Sequence, residues 1–146
     1  MKKILITVLA ATLFWQANAA EATWLTDLPQ AQAQAKSDNK IVLLDFTGSD
    51  WCGWCIKFKK EVLDTSAFQD YAAKSVVLVE LDYPKKTEQA AELKKANAAL
   101  KSKYKITGFP TFVVLDQNGK EIGRQVGYAE GGPTAFIAKL EEFKGK

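Results

Sequence analysis

Histidine is absent from this chain of 146 residues, and cysteine occurs only twice, at Cys52 and Cys55. Structural zinc is held by a full set of cysteine and histidine ligands, which one cysteine pair cannot supply. Covalent attachment of a c-type haem requires a histidine directly after the second cysteine, where Ile56 stands instead. These absences argue against both metal-binding interpretations of the pair.

The sequence also lacks an apolar stretch long enough to cross a membrane. The longest one, residues 4–15, falls short of the roughly 20 residues that a spanning helix needs. It follows two lysines and precedes an Ala-Asn-Ala sequence, which is the pattern of a secretory signal peptide. We therefore expect residues 1–19 to be a signal peptide and residues 20–146 to form a single domain.

A strong excess of one charge is missing as well. The formal net charge is +3, and removal of the predicted signal peptide with its two lysines would lower it to +1. Without a clustered basic face, nucleic-acid binding is not expected. Exported proteins work where disulfides form and persist, so we expect a periplasmic or secreted protein whose cysteine pair can be oxidised.

The two cysteines lie in the segment Trp51-Cys52-Gly53-Trp54-Cys55. Before it, the apolar and partly β-branched residues 41–46 predict a buried strand, and after it residues 56–62 predict a helix. A C-x-x-C pair at a strand-to-helix junction is typical of a redox-active dithiol. The pair is therefore the first candidate for the chemistry of this chain.

The start of a helix favours a thiolate, because unpaired backbone N–H groups and the helix dipole stabilise negative charge there. Lys57 would add a positive charge about one turn further on. We expect Cys52 to be the nucleophile and Cys55 to resolve the mixed disulfide that it forms. A static structural disulfide is the main alternative, although so short a loop gains little from cross-linking.

The rest of the sequence predicts alternating helices and strands without an internal repeat. Predicted helices cover residues 30–37, residues 56–62, a piece capped by Asp64 or Thr65 that extends to Tyr71, residues 87–104 and residues 133–143. Predicted strands cover residues 41–46, 76–81, 112–115 and 121–126, the last two joined by a turn at Asn118-Gly119.

Three segments together resemble the thioredoxin superfamily: Asp45-Phe46, the cysteine segment, and Gly108-Phe109-Pro110-Thr111, with Gly127 matching after the last strand. The chain is similar to exported bacterial thioredoxin-like proteins that carry an Asp-Tyr-Pro segment after the second strand. The likeness runs from residue 41 to the C-terminus. It implies an α/β thioredoxin-like fold, with a central mixed β-sheet flanked by helices on both faces, and thiol–disulfide exchange as the activity.

The resemblance further implies a cis peptide bond before Pro110, facing the cysteines. Such a bond would expose the backbone of Phe109 to an extended substrate and keep a metal from the cysteine site. Composition alone would favour an ordinary trans proline at the start of a strand. No cofactor is expected beyond the redox-active pair itself.

Two acids are candidates for a catalytic role beside the cysteines. Asp45 matches the family's buried acid, but the loop from it to Cys52 is one residue longer than in thioredoxin, which leaves its distance from Cys55 open. Ordinary thioredoxin has a lysine in its second strand near this acid, and Glu80 aligns with that lysine. Two carboxyls in apolar surroundings would each have a raised pKa, and one could accept the proton of Cys55. The alternative is that Glu80 points to solvent or pairs with a lysine.

The substrate surface is expected to be an apolar rim around the reactive sulfur, formed by Trp51, Gly53, Trp54, Phe109 and Gly127. Gly53-Trp54 supplies no charge that would stabilise a thiolate, which favours a reductant. We expect a monomer that reduces exported cysteine-containing proteins and takes electrons from a membrane thiol–disulfide donor. The alternatives are an oxidant that donates its disulfide to exported proteins, and a polypeptide-binding module without catalysis.

Overall fold

The computed structural model describes residues 22–145, so the predicted signal peptide lies outside the described residues. Its strands and helices follow one another along the chain in the order given next. They are β1 (Trp24–Leu25), α1 (Leu28–Asp38), β2 (Ile41–Thr47), α2 (Gly53–Phe58) with a π-helical continuation (Lys59–Leu63), α3 (Ser66–Ser75), β3 (Val76–Asp82), α4 (Ala91–Lys103), β4 (Thr111–Leu115), β5 (Glu121–Val126) and α5 (Gly132–Lys144). Within residues 22–145 no helix is both long and apolar enough to cross a membrane.

The strands form one mixed sheet in the order β1-β3-β2-β4-β5. The pairs β1–β3 and β2–β3 are parallel, and the pairs β2–β4 and β4–β5 are antiparallel. A parallel pair needs a crossover, which α2 and α3 provide between β2 and β3. The predicted mixed sheet with helices on both faces is confirmed.

Each face of the sheet buries its own apolar cluster, because successive side chains of a strand point to opposite faces. The cluster beneath α2, α3 and α5 includes Leu43, Phe58, Phe68, Phe112, Phe136 and Leu140. The cluster beneath α1 and the end of α4 includes Leu28, Ala31, Val42, Leu44, Val113 and Tyr104. Alternation from Leu43 and Leu78 therefore turns Asp45 and Glu80 toward the face that carries α2.

The β4–β5 hairpin forms where the Asn-Gly pair predicted it. The Asp116 carboxylate accepts hydrogen bonds from the backbone N–H groups of Asn118 and Lys120, at 2.8 and 2.9 Å. Gly119 has a φ of +80°, a left-handed conformation that glycine adopts at no steric cost. Local turn chemistry thus fixes this connection.

Two predicted helix boundaries were wrong by four residues, and one short strand was not predicted. Helix α4 begins at Ala91 rather than Thr87, because the Thr87 N–H bonds the Asp50 carboxylate and the Gln89 amide bonds the Asp82 carbonyl. Helix α3 continues to Ser75 rather than ending near Tyr71. The lead before α1 contains the short strand β1, whose two residues are too few for a periodic signal.

Candidate active site

The cysteine pair lies at the junction predicted for it, between the end of β2 and the start of α2. Cys52 is the N-cap residue of α2, and its sulfur accepts a hydrogen bond from the Cys55 N–H at 3.2 Å. The two sulfurs form a disulfide, and both residues are buried, 7% and 4% exposed. Gly53 between them is exposed, with open space around its Cα. A partner can therefore reach the pair only along the surface that borders this turn.

Two carboxyl side chains lie below the cysteines on neighbouring strands. Asp45 of β2 is directly paired with Glu80 of β3, and both line an open cavity of about 260 Å³ together with Cys55. Asp45 is buried and its Oδ1 has no hydrogen-bond partner within residues 22–145. Glu80 is half-buried, so it faces this cavity rather than open solvent. The two candidate acids and the second cysteine thus share one site.

Burial governs the charge state of both acids. Loss of hydration, followed by the nearby Glu80 carboxylate, raises the pKa of Asp45 to about 8. The pKa of Glu80 is also raised, first by its own burial and then by Asp82. The raised pKa makes the Asp45 carboxylate a stronger base than an ordinary aspartate, as a proton acceptor for a thiol requires.

Lys59 is a member of this site that the sequence interpretation missed. It lines the same cavity, its ammonium group forms an ion pair with Asp64, and its charge lowers the pKa of Asp45 and Glu80 against the larger effect of burial. Residues four apart share a face of a helix. The spacing of Cys55 and Lys59 was therefore a usable signal.

Four aromatic side chains surround the cysteine turn, and we call Trp51, Trp54, Phe109 and Tyr128 the aromatic rim. Trp54 is 58% exposed and its ring lies 5.2 Å from that of Tyr128. Trp51 packs edge-to-face on Phe109 with ring centres 5.7 Å apart. The rim therefore consists of three half-buried rings and the exposed ring of Trp54.

The Pro110 loop lies beside the cysteine turn, since Phe109 packs on Trp51. The Phe109–Pro110 peptide bond is cis, as the resemblance implied, and Pro110 is buried. The Gly127 N–H donates to the Pro110 carbonyl at 2.8 Å, and Gly127 has a φ of +79°. Gly127 thus holds the loop through its backbone, and a conformation that favours glycine explains its residue type.

A second loop is tied to the cysteine turn by hydrogen bonds that no local pattern predicts. The Asp50 carboxylate accepts from the backbone N–H groups of Lys85, Lys86 and Thr87, which lower its pKa to about 2. The Trp51 indole N–H donates to the Tyr83 carbonyl at 2.7 Å. These hydrogen bonds therefore hold the loop before Cys52, which is one residue longer than in thioredoxin, against residues 83–87.

Lys57 contacts the aromatic rim. Its ammonium group lies over the rings of Tyr128 and Trp54, at 4.7 and 5.4 Å from their centres. The positive charge of Lys57 is thus part of the surface around the cysteine turn.

A mixed sheet with a C-x-x-C disulfide at the strand-to-helix junction and a cis proline opposite defines a thiol–disulfide oxidoreductase of thioredoxin-like fold. Residues 28–144 match the family model of the thioredoxin-like domain, and the chain belongs to that family.

Named relatives agree with this class. The chain is 38% identical to the disulfide bond reductase DsbH of Chlamydia pneumoniae, over 92% of this chain and 74% of that protein. It is 30% identical to the thiol:disulfide interchange protein DsbD of Pasteurella multocida, over 77% of this chain but only 18% of that longer protein. The solved structure of a DsbH oxidoreductase matches with a TM-score of 0.80 and 36% identity, covering 94% of both chains.

Proposed function

We propose that this oxidoreductase works in the reducing direction on disulfides of exported polypeptides. The Cys52 thiolate attacks one sulfur of the substrate disulfide, forms a mixed disulfide and releases the other sulfur as a thiolate that takes up a proton. Cys55 then loses its proton and attacks the Cys52 sulfur. This step frees the second substrate thiol and closes the Cys52–Cys55 disulfide. The exchange needs no cofactor beyond the pair.

The residues around the pair divide the remaining tasks. Asp45, in its carboxylate form, accepts the proton of Cys55, and Glu80 sets the pH range in which Asp45 can do so. Pro110 and the backbone of Phe109 border the sulfur where an extended substrate would align. Trp51, Trp54 and the backbone of Gly53 supply the apolar contact for it, and Gly127 holds the Pro110 loop in place.

The direction rests on the charges around the cysteines. A strong oxidant stabilises its thiolate, which stabilises the reduced protein. Here Asp45 and Glu80 lie on the cavity of Cys55, the Lys59 ammonium is paired with Asp64, and that of Lys57 lies over aromatic rings. With Asp45 protonated by burial and both ammonium groups engaged elsewhere, a thiolate at the pair gains little stabilisation, which favours the disulfide form and a reducing potential. The name of the relative DsbH, disulfide bond reductase, is consistent with this direction.

The compartment and the electron source follow from the same proposal. Residues 1–19 have the pattern of a signal peptide, which directs the protein to the periplasm or beyond. Each reduction leaves the pair oxidised and consumes two electrons. Outside the cytoplasm these electrons must cross a membrane, so the partner that restores the dithiol is a membrane thiol–disulfide exchange protein.

The test is the reduction potential of the Cys52–Cys55 pair, measured by equilibration with glutathione and read from tryptophan fluorescence. A value near about −270 mV is expected for a reductant, whereas a value near roughly −120 mV would make the protein an oxidant and overturn the proposed direction. The double variant Cys52→Ser/Cys55→Ser is the control and should show no redox-dependent signal. If that variant kept the protein's full effect on substrate polypeptides, the function would be binding rather than exchange.

A further inference from the structure

Each side of the aromatic rim carries a lysine over a ring. The Lys85 ammonium lies 3.7 Å from the Trp51 ring centre, that of Lys101 lies 5.1 Å from Phe109, and that of Lys57 lies 4.7 Å from Tyr128. An ammonium group over an aromatic face is attracted by the ring quadrupole, which fixes its place. Three positive charges are therefore held around the disulfide by the same rings that form the apolar surface.

None of these three ammonium groups has an internal anionic partner. Within residues 22–145 the ion pairs involve Lys40, Lys59, Arg124 and Lys144, and none involves Lys57, Lys85 or Lys101. A lysine ammonium has three N–H donors, and a ring contact leaves donors available to a second partner. The rim lysines can therefore bind an external carboxylate without breaking an internal ion pair.

Three of the carboxylates near the rim are already engaged. Asp50 accepts three backbone N–H groups, Asp82 accepts from the N–H and hydroxyl of Ser49, and Glu61 accepts from the Tyr128 hydroxyl at 2.6 Å. Their charges remain, but their oxygens are bound to neutral donors of the protein. An exposed carboxylate, Glu130, lies near Tyr128, so the charged groups that this surface offers to a partner are mainly, but not solely, the three lysines.

We propose that the rim and its three lysines select polypeptides that carry acidic side chains next to the target disulfide. This inference rests on the proposed function and names the substrate class of the same site. With a formal net charge of only +1 after removal of the predicted signal peptide, long-range attraction is weak, so the selection is local to the rim. Charges at the edge of an interface act mainly on the association rate and its salt dependence.

The experiment compares two peptides with the same intramolecular disulfide, flanked by glutamates in one and by glutamines in the other. The pre-reduced full-length mature protein is mixed with each peptide in single turnover, and each rate is divided by the rate with hydroxyethyl disulfide, a small neutral probe. The wild type should reduce the glutamate peptide about tenfold faster at low salt, and the preference should shrink as ionic strength rises. Equal rates for the two peptides, or a preference that salt leaves intact, would overturn the inference.

Two triple variants locate the effect. Lys57→Gln/Lys85→Gln/Lys101→Gln should abolish the preference, whereas Lys36→Gln/Lys74→Gln/Lys120→Gln removes the same charge from exposed lysines elsewhere and should retain it. A loss of preference in both variants would point to net charge and contradict the role of the rim. If the first variant does not fold, the salt dependence of the wild type still decides the question.

Other occupants of this surface give distinct results. A second copy of the chain would bring like charges together, and would appear as dimerisation that strengthens as salt screens their repulsion. An anionic membrane would appear as co-sedimentation with phosphatidylglycerol vesicles, together with equal rates for both peptides. Either of these results in place of the peptide preference would refute the inference. Should the potential show an oxidant, the same preference is measured with reduced peptides and oxidised protein, which separates the two proposals.

Discussion

Glu80 stands at a position where the resemblance to thioredoxin implies a lysine. It is paired in register with Asp45 and lines the cavity that Cys55 also lines. A carboxylate there raises the pKa of Asp45, where a lysine would lower it. Glu80 therefore adds to the effect of burial, which is the larger cause of the raised pKa of Asp45.

Replacing Glu80 with glutamine should slow the resolution of the mixed disulfide by about tenfold, because the acid pair that accepts the Cys55 proton loses one carboxylate. It should also move the pH dependence of this step to lower pH, because the remaining Asp45 would ionise more easily. The lifetime of the Cys52 mixed disulfide, measured by rapid acid quench and alkylation, checks both effects. Glu92→Gln, on the exposed start of α4, is the control. An unchanged lifetime and pH profile in Glu80→Gln would show that Glu80 takes no part.

At the scale of elements, helix α5 depends on a glycine of the neighbouring strand. A Cβ built on Gly123 of β5 would lie 2.3 Å from two carbons of the Phe143 ring, including Cγ. Phe143 is buried in the last turns of α5. Because Cγ is close to the helix backbone, the ring cannot simply swing away, and the helix itself must shift.

Gly123→Ala should therefore lower the free energy of unfolding by about 1–3 kcal/mol, as overpacking of a core does. Urea denaturation of the oxidised protein measures this change. Gly145→Ala is the matched control, since its added Cβ would meet only ordinary contacts at 3.7 Å and its φ is negative. Equal stabilities for the two variants would mean that α5 is not packed as tightly on β5 as these distances indicate.

Elements that depend on local chemistry were predictable from the sequence, and those set by distant contacts were not. The strand before Cys52 and the Asn118-Gly119 hairpin turn follow from apolar runs and turn residues. The start of α4 depends on Asp50, about 35 residues earlier, whose carboxylate binds three backbone N–H groups after β3. No window along the sequence contains both partners, so tertiary hydrogen bonds override the local helical preference there.

The residues of the candidate site likewise include some that the sequence predicts and some that only the folded structure brings together. The cysteine pair, the tryptophans beside it and Pro110 are marked by residue types that are rare in this chain. Lys59 is one of 20 basic residues, and only its spacing of four from Cys55 sets it apart. Its importance arises because the helix after Cys55 faces the acid pair. The contact of Lys57 with the rim could not be predicted from the sequence either, because only the folded sheet brings Tyr128 to Trp54.

For the whole molecule, the buried acid connects the active site to global stability. The pKa of Asp45 is about 8 in the folded protein, against an ordinary value of 3.8. The folded state therefore binds a proton that the unfolded state has lost, and stability falls as pH rises between these values. The contribution of protonated Asp45 is complete below about pH 4 and is lost as pH passes through about 8. Glu80, whose pKa is also raised, acts in the same direction.

Asp45→Asn should accordingly stabilise the oxidised protein at pH 9 by on the order of 3 kcal/mol, and by much less at pH 4, where the native carboxyl is already neutral. Urea unfolding at several pH values measures the difference, with the disulfide kept closed. The exposed Asp70→Asn, on α3, is the control and should leave the pH dependence of the wild type intact. The same Asp45→Asn protein should resolve mixed disulfides slowly, because the group that costs stability at high pH is the one proposed to accept the Cys55 proton. A variant that gained stability without losing resolution rate would separate these two properties and leave Asp45 a buried acid without a catalytic task.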